Sequence, residues 1–240
     1  MNVDISLIEK AVRKVVSERV LEKHSLEYNY GVFENMKDAI EAAHAAQLEY
    51  MDCSISQREE YIKAIRECIL KKENLELISR LSVEETGMGK YEHKLIKNRL
   101  VIEKTPGTED LVTEAMAGDD GLTLIELSPY GVIGAITPTT NPTETIICNS
   151  IGMLAAGNTV AFSPHPRSKN VSLKTIMLIN EALEEQGAPR NLIVTVKEPS
   201  IENTNIMMKH PRVRMLVATG GPQIVTTVMS TGRKSSGSRR

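Results

Sequence analysis

The sequence predicts an α/β protein in which N-terminal helices are followed by a doubly wound parallel sheet. Three observations carry this. Residues 32–104 hold apolar positions at the spacing of helices, as in FENMKDAIEAAHAAQLEYM and SQREEYIKAIRECILKKENLELISRLSVEETG. From about residue 122 short apolar runs alternate with helical stretches. Glycines at 157, 187 and 232 close those stretches, so each unit reads as strand, helix, stop.

The elements follow in order. MNVDISLIEKAVRKVVSERVLE (1–22) sets Ile5, Ile8, Val12, Val15, Val16 and Val20 at helical spacing, with Ser6 and Glu9 as a capping box, and predicts an amphipathic helix. Residues 23–31, ending in HSLEYNYG, have no period and read as a linker. Residues 32–121 are expected to be mainly helical, with Gly87 as a helix stop; Cys68 falls within a helix and is expected in the core, and Cys53 lies between helices. GLTLIELSPYGVIGAITP predicts two strands joined by the turn residues SPYG. Strand 131–138 then leads to helix 142–156. TVAFS (159–163) leads to a helix capped by Ser168 and closed near Gly187. NLIVTV (191–196) leads to a helix from about Ser200, and RMLVAT (214–219) to PQIVTTVMST, closed at Gly232. Residues 32–232 thus form one domain, helical to 121 and strand–helix from 122. The basic, polar remainder, 233–240, is expected to be disordered.

Composition narrows the function. The 240 residues are 41% hydrophobic, enough for a sizeable core, and the net charge of −2 offers no field for nucleic acid. No apolar run approaches the ~18 residues of a membrane span. Three scattered cysteines without CxxC fit a reducing cytoplasm and give no metal site, and the five histidines form no HxxxH or HExxH. With aromatics at 3% and no Trp, the core must be aliphatic.

Doubly wound sheets bind ligands at the carboxyl ends of their strands, which directs attention to the loops after Thr137, Ser163 and Thr219. In VATGGPQIV (217–225) a strand ends in Gly220 and Gly221, and Pro222 opens a helix. The pattern suits a pyrophosphate at the helix start, and equally a plain strand–helix turn. In TPTTNP, Asn141 precedes a helix, where it is either a cap or an amide aimed at a developing oxyanion; the pattern favours the cap. Cys148 lies seven residues further on among Ile146, Ile147 and Ile151, and is expected to be buried rather than nucleophilic.

The stretch GVIGAITPTTNPTETIICNSIGMLAAGNTVAFSPHPRS closely resembles the CoA-acylating branch of the aldehyde dehydrogenases, in particular the acetaldehyde and propionaldehyde dehydrogenases of ethanolamine- and propanediol-degrading microcompartments. ETGMGKYEHKLIKN (85–98), LAAGNTV (154–160), SPHPRSK (163–169) and VATGGPQIV share the likeness, which runs from about residue 1 to 237. The resemblance implies a Rossmann-like cofactor domain over residues 32–232. It implies oxyanion stabilisation by Asn141 and a cofactor cleft formed by Thr137, Pro138, Ser163, Pro164, His165, Pro166, Thr219, Gly220, Gly221 and Gln223. The ribose-binding Lys and Glu usual in the superfamily fall at Ser163 and Pro166, and the second glycine of its phosphate turn falls at Val225. The implied chemistry uses NAD as cofactor and CoA as co-substrate: a cysteine thiolate attacks the aldehyde, hydride leaves to NAD, and CoA takes the acyl group.

In the family the nucleophilic cysteine lies in a later half, and none of Cys53, Cys68 or Cys148 matches it. The expectation is therefore a truncated enzyme without its catalytic domain, inactive alone and working with a separate C-terminal half. The alternative is a non-catalytic nucleotide-binding, cargo or assembly protein that joins full-length relatives. Relatives carry an encapsulation peptide where residues 1–22 stand, which implies microcompartment shell proteins as partners and a location in the cytoplasm inside such a compartment. No nucleic-acid or membrane partner is expected.

Overall fold

A computed structural model describes residues 30–239; the amphipathic pattern of 1–22 and most of the linker lie outside the described residues. The chain enters at Gly31, whose φ of +81° and closeness to the Ile193 carbonyl, 2.2 Å from an added Cβ, leave room for glycine alone. Strand β1 (Val32–Phe33) follows. The apolar period beginning at Phe33 becomes helical only at Met36, after Asn35 caps helix α1 (Met36–Tyr50) by accepting the Asp38 N–H. Helix α2 (Ile55–Leu70) opens on a full capping box between Ser54 and Gln57. Helix α3 (Lys72–Thr86) stops at left-handed Gly87, and α4 (Tyr91–Lys104) completes the helical part.

The next segment differs from expectation. Strand β2 (Glu114–Gly118), within the stretch read as mainly helical, pairs antiparallel with β3 (Gly121–Ile125) as an exposed ribbon. The two strands flanking SPYG do not pair with each other, because β4 (Val132–Ile136) enters the main sheet between two parallel neighbours. The chain continues through α5 (Pro142–Ala155), β5 (Thr159–Ser163), α6 (Lys169–Glu185), β6 (Ile193–Val196), α7 (Ile201–Lys209), β7 (Val213–Gly220) and α8 (Pro222–Met229). The tail expected to be disordered instead forms β8 (Lys234–Arg239), parallel to β7. Gly237 makes this possible: a Cβ there would stand 2.5 Å from Val225 of α8.

The sheet order is β1-β6-β5-β4-β7-β8, and every pairing in it is parallel. From β4 the chain winds outward to β6, then crosses back to lay β7 on the other flank of β4. One face packs on α2 to α6 around Ile65, Ile147, Phe162 and Ile179. The other packs on α1, α7 and α8 around Met36, Met207 and Val228. The LAAGNTV motif locks the centre. The Asn158 side chain accepts the N–H groups of Tyr130 and Gly131 at 2.7 and 3.1 Å, which fixes where β4 begins. Gln47 ties α1 to the same turn through Gly157 and Thr159. No described helix is long and apolar enough to cross a membrane.

Candidate functional site

The reversal of strand order at β4 leaves a crevice between the loops after β4 and β7, the usual ligand position in open α/β sheets. A cleft of about 840 Å³ lies there. Thr137 and Pro138 enter it from the end of β4, Ser163, Pro164, His165 and Pro166 from the end of β5, and Thr219, Gly220, Gly221 and Gln223 from the end of β7 and the start of α8. Met88, Ile201 and Met208 add apolar wall, and among the described residues no Lys, Arg, Asp or Glu lines it. Among the described residues its one titratable side chain is His165. Burial first, and Arg167 second, lower the His165 pKa, so the ring is neutral at pH 7. His165 Nδ1 accepts the Arg167 N–H at 3.1 Å, which makes the other ring nitrogen the donor.

Two hydroxyls in the cleft are set for a ligand. Thr137 is 2% exposed, and its Oγ1 has no hydrogen-bond partner among the described residues. Ser163 Oγ lies 2.7 Å from Thr204 Oγ1, and Thr204 donates its single proton to the Ser200 carbonyl at 2.8 Å. Ser163 must then donate to Thr204 and meets a ligand as an acceptor.

Helices α6, α7 and α8 start at or beside the cleft, and they differ: α7 is capped by Ser200, which accepts the Asn203 N–H at 3.1 Å. At α8 the N-cap residue is Gly221, which has no side chain to take up the first N–H groups, and Pro222 occupies the first turn. At α6, Ser168 holds the N-cap position, but its hydroxyl donates to the His165 carbonyl instead of capping. The N–H groups of Asn170 and Val171 go to the two carboxylate oxygens of Glu85, at 2.8 and 2.7 Å. An anion therefore finds open donors at α8, while a protein carboxylate already fills α6. Val225 is 3% exposed and packs against β8, a structural position.

Asn141 sits behind the cleft, 8% exposed, at the start of α5. It occupies the N-cap position without capping, contrary to the reading its pattern favoured. Its Oδ1 lies 3.4 Å from the Nζ atoms of both Lys94 and Lys97. Lys94 is itself buried, donating to the Thr140 carbonyl at 2.7 Å and paired with Glu144 at 3.0 Å. Thr143 joins Glu144 to Asn98, and Asn98 reaches Ser79.

The cysteines stand apart from this site. Cys148 is exposed, not buried: the isoleucines beside it in sequence turn inward, and the 100° step of the helix carries the thiol outward. Cys53 and Cys68 are half-buried against the core. Burial, the largest influence on the Cys68 thiol, pushes its pKa up. None of the three lines the cleft. Among the described residues no three His, Cys, Asp or Glu side chains gather as metal ligands.

Residues 10–238 match the aldehyde dehydrogenase family. The chain belongs to that family. It is 46% identical over 229 residues to a CoA-propanoylating propanal dehydrogenase of Citrobacter freundii, an alignment covering 95% of this chain and 49% of the relative. It is 41% identical to an acetylating acetaldehyde dehydrogenase of Salmonella typhimurium, covering 92% and 46%. Among solved structures, a propionaldehyde dehydrogenase of Rhodopseudomonas palustris with bound CoA and an acylated cysteine superposes with a TM-score of 0.86 at 66% identity, over 88% of this chain and 48% of that one. A propionaldehyde dehydrogenase of the Clostridium phytofermentans fucose utilisation microcompartment gives 0.83 at 52% identity, over 85% and 47%. The chain spans about half the length of the curated relatives it matches, and these are CoA-propanoylating and acetylating members.

In this member of the aldehyde dehydrogenase family the cleft residues suit a dinucleotide: open helix N–H groups for a diphosphate, hydroxyls for ribose and apolar wall for a base. Sequence reasoning missed Lys94, Lys97, Glu144, Thr204 and Glu85. The motif ETGMGKYEHKLIKN contains three of them, yet nothing in its spacing separates a buried lysine from a solvated one.

Proposed function

We propose that this chain is the cofactor-binding portion of a CoA-acylating aldehyde dehydrogenase, whose reaction turns aldehyde, CoA and NAD into acyl-CoA and NADH. The observation that carries the reading is the meeting, at one cleft, of an uncapped α8, the buried unpartnered Thr137 hydroxyl and the acceptor Ser163. NAD, when bound, takes up the hydride. The N–H groups of Gln223 and Ile224 at the start of α8 hold its diphosphate, and Ser163 accepts from a ribose hydroxyl in place of the charged contacts usual in the superfamily. Asn141 donates to the aldehyde oxygen as a thiolate adds to the carbonyl carbon and the C=O π electrons move onto oxygen. That thiolate comes from a segment beyond these residues. Support for this is the half-length match to the relatives and the absence of Cys53, Cys68 and Cys148 from the cleft.

The same reading puts the protein in the cytoplasm, inside a microcompartment, with residues 1–22 directing it to the shell. The amphipathic pattern of that segment and the microcompartment source named for one relative support it. Fusing residues 1–22 to a fluorescent protein beside co-expressed shell proteins tests the placement; foci are expected, and diffuse signal would refute it.

Titration of the 240-residue chain with NAD, followed by backbone amide resonances, tests the site. Saturable shifts at Gly220, Gly221 and Gln223 are expected. Shifts elsewhere in the chain and none at these amides would refute the placement.

A further inference from the structure

We propose that Lys94 and Lys97 are positioning residues for Asn141: they hold its amide oxygen between them and so present its amide nitrogen as the oxyanion donor. The proposal rests on the oxyanion reading of Asn141 given above.

An asparagine at a helix start ordinarily turns its oxygen onto the helix N–H groups. Asn141 does not, and its Oδ1 lies 3.4 Å from each of the two Nζ atoms. An ammonium carries donors only, so the amide end that faces two of them must be the oxygen. The amide oxygen and nitrogen leave one trigonal carbon in different directions within one plane, so holding the oxygen on the lysines fixes the direction of the NH₂ group. The orientation of the donor thus follows from where the cations stand.

Lys94 cannot follow Asn141 if the amide turns. Its side chain is 3% exposed, and its remaining protons are committed to the Thr140 carbonyl and to Glu144. The Thr143 hydroxyl, with one proton to give, lies 3.0 Å from Glu144 Oε2 and 2.8 Å from Asn98 Oδ1, and Asn98 donates to Ser79 at 3.0 Å, so polar contacts link α3, α4 and α5 around the pair. Asn141 therefore conforms to a fixed cation.

Charge counting separates this role from simple pairing. Glu144 balances Lys94 one for one. Lys97, one turn along α4, bonds Asn141 and not Glu144, so the amide sits in an excess of positive charge. A cation on the carbonyl oxygen polarises the amide and strengthens its N–H donors. The same field favours negative charge on the reacting oxygen.

The test uses selectively ¹⁵N-asparagine-labelled 240-residue chain and reads the side-chain NH₂ resonances of Asn141, assigned by their loss in Asn141→Asp. In the starting protein two resolved, slowly exchanging proton signals are expected. In Lys94→Met/Glu144→Gln, which removes both buried charges together, and separately in Lys97→Met, the pair should move and broaden while the backbone spectrum stays dispersed. Lys97 is exposed, and Lys97→Met keeps the buried pair, so it serves where the double variant does not fold. An Asn141 pair left unchanged in folded Lys97→Met or in the folded double variant would overturn the proposal. Loss of a charge 3.4 Å away shifts the pair in any case, so a purely structural role for the Lys94–Glu144 pair predicts signals that move yet stay sharp and slowly exchanging, and that result would also overturn the proposal. The oxyanion reading fails separately: the pair would move as described, yet Asn141→Ala in the complete enzyme would keep its kcat.

Discussion

Glu85 Oε2 accepts the backbone N–H of Val171 at 2.7 Å, joining the end of α3 to the start of α6 across 86 residues of chain. Together with its contact to Asn170, it caps a helix that would otherwise open onto the mouth of the cleft. Glu85→Ala should therefore destabilise the chain by about 0.5–2 kcal/mol, the usual cost of losing a helix cap. Urea unfolding measures it. A loss near zero would mean that water replaces the carboxylate without cost.

Ser163 and Thr204 set the polarity of the ribose subsite. Ser163→Ala should weaken NAD binding roughly 2- to 12-fold, the worth of a net hydrogen bond of about 0.5–1.5 kcal/mol. Thr204→Val frees the Ser163 proton to face the cleft, so it should weaken NAD by a smaller factor and leave the melting temperature nearly unchanged. Calorimetric titration distinguishes the two. Equal affinity in all three proteins would remove Ser163 from the subsite.

The Lys94–Glu144 pair is buried, with side chains 3% and 7% exposed. Breaking it from one side by Lys94→Met leaves an uncompensated carboxylate and should cost about 3–5 kcal/mol. Removing both charges in Lys94→Met/Glu144→Gln should recover most of that loss. A double-mutant cycle on denaturant unfolding gives the coupling, and additive losses would contradict the pairing.

His210 is 8% exposed, and its Nε2 stands 3.6 Å from a Glu41 oxygen. The carboxylate favours a charged ring, but burial, with Lys37, Arg212 and Arg233 adding to it, outweighs this and lowers the pKa. His210 is thus neutral in the fold. An unfolded histidine titrates near ~6.5, so the unfolded chain binds the proton first as pH falls. The stability this group contributes is complete above that value and is lost as pH drops through the depressed folded pKa. His210→Gln should flatten the acid side of a stability–pH curve, and an unaltered curve would assign the acid limb to other groups.

Much of the sheet was legible in the sequence because its strands are buried apolar runs and glycines stop the helices between them. TVAFS is β5 as read, and Gly157 and Gly187 end the helices before them. Strand β8 was not legible. Lys234, Ser235, Ser236 and Gly237 carry no apolar period, and the strand forms because β7 offers an unpaired edge and Gly237 lets α8 close over it. Strand β3 was read in GLTLI, but its partner β2 was not: EAMAG is exposed along its whole length, so burial imposes no alternation on it. At the site, the three loops followed from topology, since strand ends fix where a doubly wound sheet binds. The setting of Asn141 did not. Lys94 and Lys97 lie on the charged side of a helical pattern, and only the approach of α5 makes one of them a buried partner.

The central claim, that a dinucleotide diphosphate binds at the start of α8, is tested most directly at Gly221. Its extended backbone, φ −66° and ψ 162°, accepts any residue, and a Cβ there would meet nothing within 4 Å, whereas one at Gly220 would press on Ile224. Gly221→Val therefore leaves the fold intact and fills only the space in front of the helix N–H groups. NAD titrated into the starting chain and into Gly221→Val, at matched melting temperature, should bind the first and lose at least about tenfold in affinity for the second, an effect of about 1.4 kcal/mol. Equal affinity in both proteins would contradict the account.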